Sequence, residues 1–202
     1  MTPDIEFHFD FGSPNAYLSH RVIPAIERRK GVRFVYVPVL LGGVFKLTNN
    51  TPPMDQNNGV LNKSEYQQRE TNRFIAKHKI AFAWNKDFPV NTLKIMRGAV
   101  AAEMDGTLPP YVEAIYTNMW EYPKKLDETE LIQCVLDKAG LDGAALMART
   151  ADQPIKDKLM ANTAGSVKRG TFGSPMFFVG NEMFFGKDRL PDVEEEIAKT
   201  SQ

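Results

Sequence analysis

The residues best placed to do chemistry stand at two serine–proline steps far apart in the chain, Ser13-Pro14 and Ser174-Pro175. Upstream of the first, Ile5, Phe7, Phe9 and Phe11 alternate with Glu6, His8 and Asp10, the period-two pattern of a strand. Pro14 suits the first helical position, because its missing N–H would be unpaired there and its φ is already helical. Ser13 is then the N-cap. A hydroxyl beside the free N–H groups of a helix start favours a negatively charged ligand. The second step, Phe172-Gly173-Ser174-Pro175, leads into a β-rich stretch. A cis Ser174–Pro175 bond would turn the backbone of Ser174 outward, as an edge on which an extended peptide can pair. Read alone, Gly-Ser-Pro is simply a turn.

Other chemistries find less support. His8, His20 and His78 are dispersed, without the spacing of metal ligands. No Gly-x-Ser-x-Gly elbow surrounds Ser13, which argues against a serine hydrolase. Cys134 is the only cysteine, so there is no CxxC pair and no intrachain disulfide. Its place on an apolar helical stripe puts it in the core.

The elements that must position these residues follow from periodicity. A helix runs from Pro14 to about Lys30 on Leu18, Val22 and Ile26, kinked at Pro24 and stopped by Gly31. Arg33 to Val39 is β-branched and aromatic, a second strand, and the three elements make a βαβ unit with parallel strands. Thr48-Asn49-Asn50-Thr51-Pro52-Pro53 reads as a loop. A mostly helical stretch follows, with helices over Lys63–His78, around Leu93, Met96, Val100 and Met104, and around Val112, Ile115 and Met119. Asp127 with Glu130 forms a capping-box pattern, and Asp142 and Asp152 are N-caps of two further helices, the second stopped by Gly170. Met176–Val179 and Glu182–Phe185 flank Gly180-Asn181 as a type II′ hairpin. Asp188 then caps a last helix. The order β-α-β, helical insert, β-β-α is of α/β class, and its two ends must meet in one sheet.

Bulk properties narrow the function. Lys+Arg and Asp+Glu balance at 25 each over 202 residues, so no global field invites nucleic acid or an acidic membrane. No apolar run is long enough to span a bilayer. With no signal-peptide pattern and one cysteine, the expectation is a soluble cytoplasmic protein.

Taken together, Phe9-Asp10-Phe11-Gly12-Ser13-Pro14, Asn50-Thr51-Pro52-Pro53, Lys63-x-x-Tyr66, Phe172-Gly173-Ser174-Pro175 and Phe185-Gly186-Lys187-Asp188-Arg189-Leu190 carry a resemblance over essentially the whole chain. It resembles the thioredoxin-like fold interrupted by an all-helical insertion, and within it the kappa-class glutathione transferases and, more closely, the 2-hydroxychromene-2-carboxylate isomerases. The resemblance implies a thioredoxin-like domain of residues 1–45 and 170–202 with residues 46–169 inserted, glutathione as cofactor, a small aromatic substrate and a homodimer. It makes the anion at Ser13 the glutathione thiolate, since Ser13 stands where related thiol oxidases keep their attacking cysteine. Ser174 and Pro175 would pair with the cysteinyl part, and Asp188 with the γ-glutamyl ammonium. Position 187, small and polar in the family, is Lys187, which can still grip a carboxylate. Asn50, Lys63 and, through a looser match, Asn91 would meet the substrate. Asp10, beside a thiolate whose pKa it would raise, is expected to be structural or solvated.

The activity this implies is glutathione-dependent isomerisation of 2-hydroxychromene-2-carboxylate, or a related aryl-pyruvate, to the trans-benzylidenepyruvate by reversible thiolate addition. The alternatives are a kappa-like glutathione transferase or peroxidase, and a redox-inactive thioredoxin-like binding module.

Overall fold

The four-stranded sheet holds the two serine–proline steps together. The structure, a computed structural model, describes residues 4–200. Strands β1 (Ile5–Phe9), β2 (Val35–Pro38), β3 (Met176–Val179) and β4 (Glu182–Phe185) lie in the order β2-β1-β3-β4. β1 is parallel to β2 and antiparallel to β3, and β3 is antiparallel to β4. The parallel pair follows from the crossover through helix α1 (Pro14–Lys30). Gly180 at φ 58° makes the tight β3–β4 turn, as a positive φ at its first central position requires.

The remaining helices are α2 (Leu41–Thr48), α3 (Pro53–Gln56), α4 (Lys63–His78), α5 (Leu93–Met104), α6 (Leu108–Trp120), α7 (Thr129–Lys138), α8 (Gly143–Arg149), α9 (Gln153–Lys168) and α10 (Leu190–Thr200). We propose the division into residues 1–45 with 170–202 and an insert of 46–169. All four strands fall in the outer segments, with α2 bridging the first boundary.

β1 is covered on both faces. Phe7, Phe9 and Phe11 are fully buried, Phe7 stacking on Phe177 at 5.3 Å and Phe11 meeting Tyr116 of α6 at 4.9 Å. Each such phenylalanine contributes roughly 1.5–3 kcal/mol of transfer free energy. On the other face the buried His8 bonds Ser166 of α9 at 2.8 Å and Glu6 at 2.7 Å, so it is a satisfied interior residue. The Trp120 indole N–H donates to the Phe11 carbonyl at 2.9 Å, fixing α6 to the turn that carries Ser13. No helix among the described residues is long and apolar enough to cross a membrane.

α1 runs from Pro14 to Lys30 and is closed by Gly31, as expected, with Pro24 inside it on the exposed face. Several other local expectations change. The apolar, Gly-bearing stretch after β2 is helix α2, and part of the Pro52-Pro53 loop is the short α3. Asp127 does not cap α7: Glu128 holds the N-cap position, without a side-chain bond. Asp142 does cap α8, accepting from Ala145 N at 2.8 Å, whereas Asp152 holds the N-cap position of α9 without such a bond. Asp188 caps no α-helix. It lies inside a 3₁₀ turn, Lys187–Arg189, whose N-cap is Gly186 and which runs into α10. Cys134 is exposed, because the buried stripe of α7 is Ile132, Val135 and Leu136. Met104 is exposed as well, past the buried face of α5.

Candidate active site

Ser13 takes the extended conformation of an N-cap (φ −93°, ψ 113°), and its Oγ accepts from Ala16 N at 3.2 Å. The same hydroxyl donates to the carbonyl of Ser174 at 2.8 Å. Its single proton is therefore held by the residue before Pro175, 161 positions away in sequence. Ala16 and Tyr17 both donate to Ser13 O, which leaves the Asn15 N–H of the first turn without a backbone partner among the described residues. A hydroxyl that can turn, a free N–H and a helix start with no acidic residue in its first turn make a small anion site.

The Ser174–Pro175 bond is cis. Ser174 Oγ accepts from Asp10 N at 3.2 Å, and Pro175 O accepts from Gly186 N at 3.0 Å. The second serine–proline step is thus tied to the end of β1 on one side and to the start of the 3₁₀ turn on the other.

Asp10 holds three segments at once. Its carboxylate accepts from Gly12 N at 2.8 Å, Leu41 N at 2.7 Å and Thr92 Oγ1 at 3.1 Å. Complete burial pushes its pKa above the usual carboxylate range, against the pull of these donors. It is structural and buried, not solvated. Gly12 is needed here because a Cβ would come within 3.0 Å of the Thr92 methyl and 3.3 Å of the Asp10 carboxylate.

The other expected residues divide. Asn50 Nδ2 donates to Phe172 O at 2.8 Å, which brings the loop after α2 against the second serine–proline step. Phe172 in turn packs on Phe185, with ring centroids 4.5 Å apart. Lys187 and Asp188 follow Gly186 directly. The Lys187 ammonium contacts both Asp188 oxygens, at 2.8 and 2.9 Å, and stands 5.1 Å from the Phe74 ring of α4. Among the described residues, Asn91 reaches the junction through its neighbour Thr92; its own Oδ1 accepts from Leu93 N at 3.0 Å at the start of α5. Lys63 is exposed as the first residue of α4, and no described contact joins it to Ser13 or Ser174.

Three structural contributors escape the sequence reading: the clamp made by Asp10, the hydroxyl of Thr92, and Phe74 beneath Lys187. Asp10 carried a signal, a carboxylate inside an otherwise aromatic strand end. Thr92 and Phe74 carried none, because their partners lie 82 and 113 residues away. Among the described residues no cluster of three or more metal-ligating side chains occurs.

The chain is similar to the 2-hydroxychromene-2-carboxylate isomerase of Sphingobium xenophagum, with 29% identity over 200 residues, covering 98% of this chain and 99% of that one. Glutathione S-transferase kappa 1 of Rattus norvegicus is 24% identical, covering 92% of this chain and 87% of that one. A solved 2-hydroxychromene-2-carboxylate isomerase superposes with a TM-score of 0.85 at 23% identity, over 98% of this chain and 95% of that one. These relatives are enzymes, as the resemblance implied. The profile of the DSBA-like thioredoxin domain matches residues 4–198, and the chain belongs to that family.

Proposed function

We propose that the protein is a glutathione-dependent isomerase acting on 2-hydroxychromene-2-carboxylate or a related aryl-pyruvate, with the trans-benzylidenepyruvate as product. The observation that carries the reading is the Ser13 hydroxyl at a helix start, 2.8 Å from the carbonyl before a cis proline, in a chain whose relatives bear the isomerase name.

The residues present fit glutathione. The free Asn15 N–H and the Ser13 hydroxyl suit a thiolate, the Ser174 carbonyl suits an amide donor, and Lys187 with Asp188 offers both signs of charge. Bound there, glutathione supplies a nucleophile whose reversible addition turns a conjugated double bond into a rotatable single bond and whose elimination regenerates it. The chain's own work is to hold that nucleophile as an anion. Turning the Ser13 O–H away from Ser174 O moves only a hydrogen. Ser13 Oγ stays in place as the cap for Ala16 N–H, and the freed carbonyl becomes an acceptor for the ligand backbone. The helix end stabilises negative charge as it stands, and the hydroxyl does so after that single turn. Asn50, Lys63 and Asn91 are proposed to face the substrate, with the Lys63 ammonium meeting the substrate's carboxylate. A homodimer and a cytoplasmic location belong to the same proposal.

The kappa relatives favour a second reading, a glutathione transferase or peroxidase with the same thiolate site. Glutathione consumption separates the two. An isomerase leaves the glutathione concentration unchanged while product accumulates, whereas a transferase consumes one equivalent per turnover. Calorimetry showing no glutathione binding at millimolar concentration would refute both and leave a redox-inactive binding module.

A further inference from the structure

The contact between Lys187 and Asp188 changes what the site can recognise beside the thiol. Lys187 is only 4% exposed, so its ammonium must find its partners inside the protein. Two things compensate it: both Asp188 oxygens, and the face of Phe74 at 5.1 Å. The Asp188 side chain itself is 63% exposed and faces solvent. The pair is fixed where ligand binding needs it. Gly186, immediately before Lys187, donates to Pro175 O, so the cation lies one residue from the cis-proline contact.

Resting on the glutathione reading, we propose that Lys187 is a specificity-determining residue: it supplies from within the protein the positive charge that Asp188 would otherwise take from a ligand ammonium. An incoming amine meets a carboxylate already neutralised, with a like charge directly behind it. Attraction to Asp188 and repulsion from Lys187 act over similar distances and largely offset each other. Lys187 cannot simply withdraw, because leaving Asp188 would strand a buried unpaired charge over Phe74. The site therefore takes γ-glutamyl thiols with little regard for their amino group. Glutathione and its des-amino counterpart, glutaryl-cysteinyl-glycine, are bound almost alike.

The test is titration calorimetry of both thiols against the intact protein and two variants. For the wild type the expected ratio of dissociation constants, des-amino over glutathione, is below fivefold. Lys187→Ser frees Asp188, and the ratio is expected to rise to tenfold or more in favour of glutathione. Asp188→Asn leaves Lys187 as the nearest charge, and preference is expected to reverse toward the des-amino thiol. The wild-type ratio keeps the test available if either variant does not fold. A wild-type ratio of fivefold or more, or ratios that neither variant shifts, overturns the role of Lys187 while leaving the glutathione site standing. Failure of both thiols to bind the wild type at millimolar concentration overturns the glutathione reading itself, and this inference with it.

Discussion

Replacing Ser13 by alanine separates the anion-holding role of this residue from its structural one. The substitution removes the cap to Ala16 N and the bond to Ser174 O. Loss of the cap costs about 0.5–2 kcal/mol, and the buried carbonyl loses a partner at about 1–3 kcal/mol. Both are tolerable against the 5–15 kcal/mol typical of a domain, so the variant is expected to fold with a lowered Tm. The effect on the thiol is distinct. A bound glutathione depressed by one to two units from a reference pKa of about 8.5 is roughly 24–76% thiolate at pH 7, against about 3% without depression. That depression corresponds to about 1.4–2.7 kcal/mol, within the range of one hydrogen bond to a charged acceptor, about 1.5–3 kcal/mol. Turnover by Ser13→Ala at pH 7 is therefore expected to fall by up to roughly eight- to twenty-five-fold, the helix end keeping its own share of the stabilisation. Because the loss lies in ionisation, the gap should close as pH rises past about 9, where both proteins hold thiolate. The assay is initial isomerisation rate against pH, with the ultraviolet absorbance of bound thiolate titrated in parallel. An unchanged thiolate titration, or a rate deficit as large at pH 9.5 as at pH 7, would refute the reasoning.

Further predictions concern the surroundings of this junction. Asp10→Ala leaves the donors on Gly12, Leu41 and Thr92 without their acceptor, and denaturant unfolding should show a loss of at least about 3 kcal/mol. Since burial raises the native pKa of Asp10, its ionisation weakens the fold as pH climbs from its ordinary value to the raised one. Asp10→Asn should remove that slope from the stability profile. Glu113 behaves oppositely. Its hydrogen bond from His20, reinforced by Arg21, holds its pKa at about 2, so its contribution is present above pH 4.5 and lost as pH falls toward 2. With its side chain 52% exposed, screening limits this to about 1 kcal/mol, and Glu113→Gln should flatten the acid limb of a curve of unfolding free energy against pH by that amount. Lys63→Ala should raise the KM for the aromatic carboxylate several-fold and leave the glutathione dissociation constant unchanged. An unaltered KM would remove Lys63 from the substrate site.

Much of the site's first half was legible because it is local. A period-two strand, a serine and a proline at the first helical position specify Ser13 as a cap through contacts spanning three residues, and the structure has that cap. The hairpin likewise follows from Gly180-Asn181 between two apolar runs. Expectations failed where competing local options lie within a residue or two of one another. Asp127 carries the capping pattern, yet α7 starts one residue later, with Glu128 at the N-cap position and no side-chain bond. Cys134 sits one position off the buried stripe of α7, and the 100° step per residue turns it to solvent.

The sequence by itself determined that a hydroxyl stands at a helix start with a preference for anions, and that the two ends of the chain share one sheet. Tertiary structure alone decided what that hydroxyl does before a ligand arrives. Pairing of β1 with β3 brings Ser174 O within 2.8 Å of Ser13 and so parks its only proton. Tertiary structure also decided that the Lys187 ammonium is seated over Phe74, and that Asp188 lies inside a 3₁₀ turn instead of opening the last helix. The reason is physical: capping and strand patterns are set by neighbours in the chain, whereas the partner of the Ser13 hydroxyl is the group that the packed core brings within about 3 Å of it.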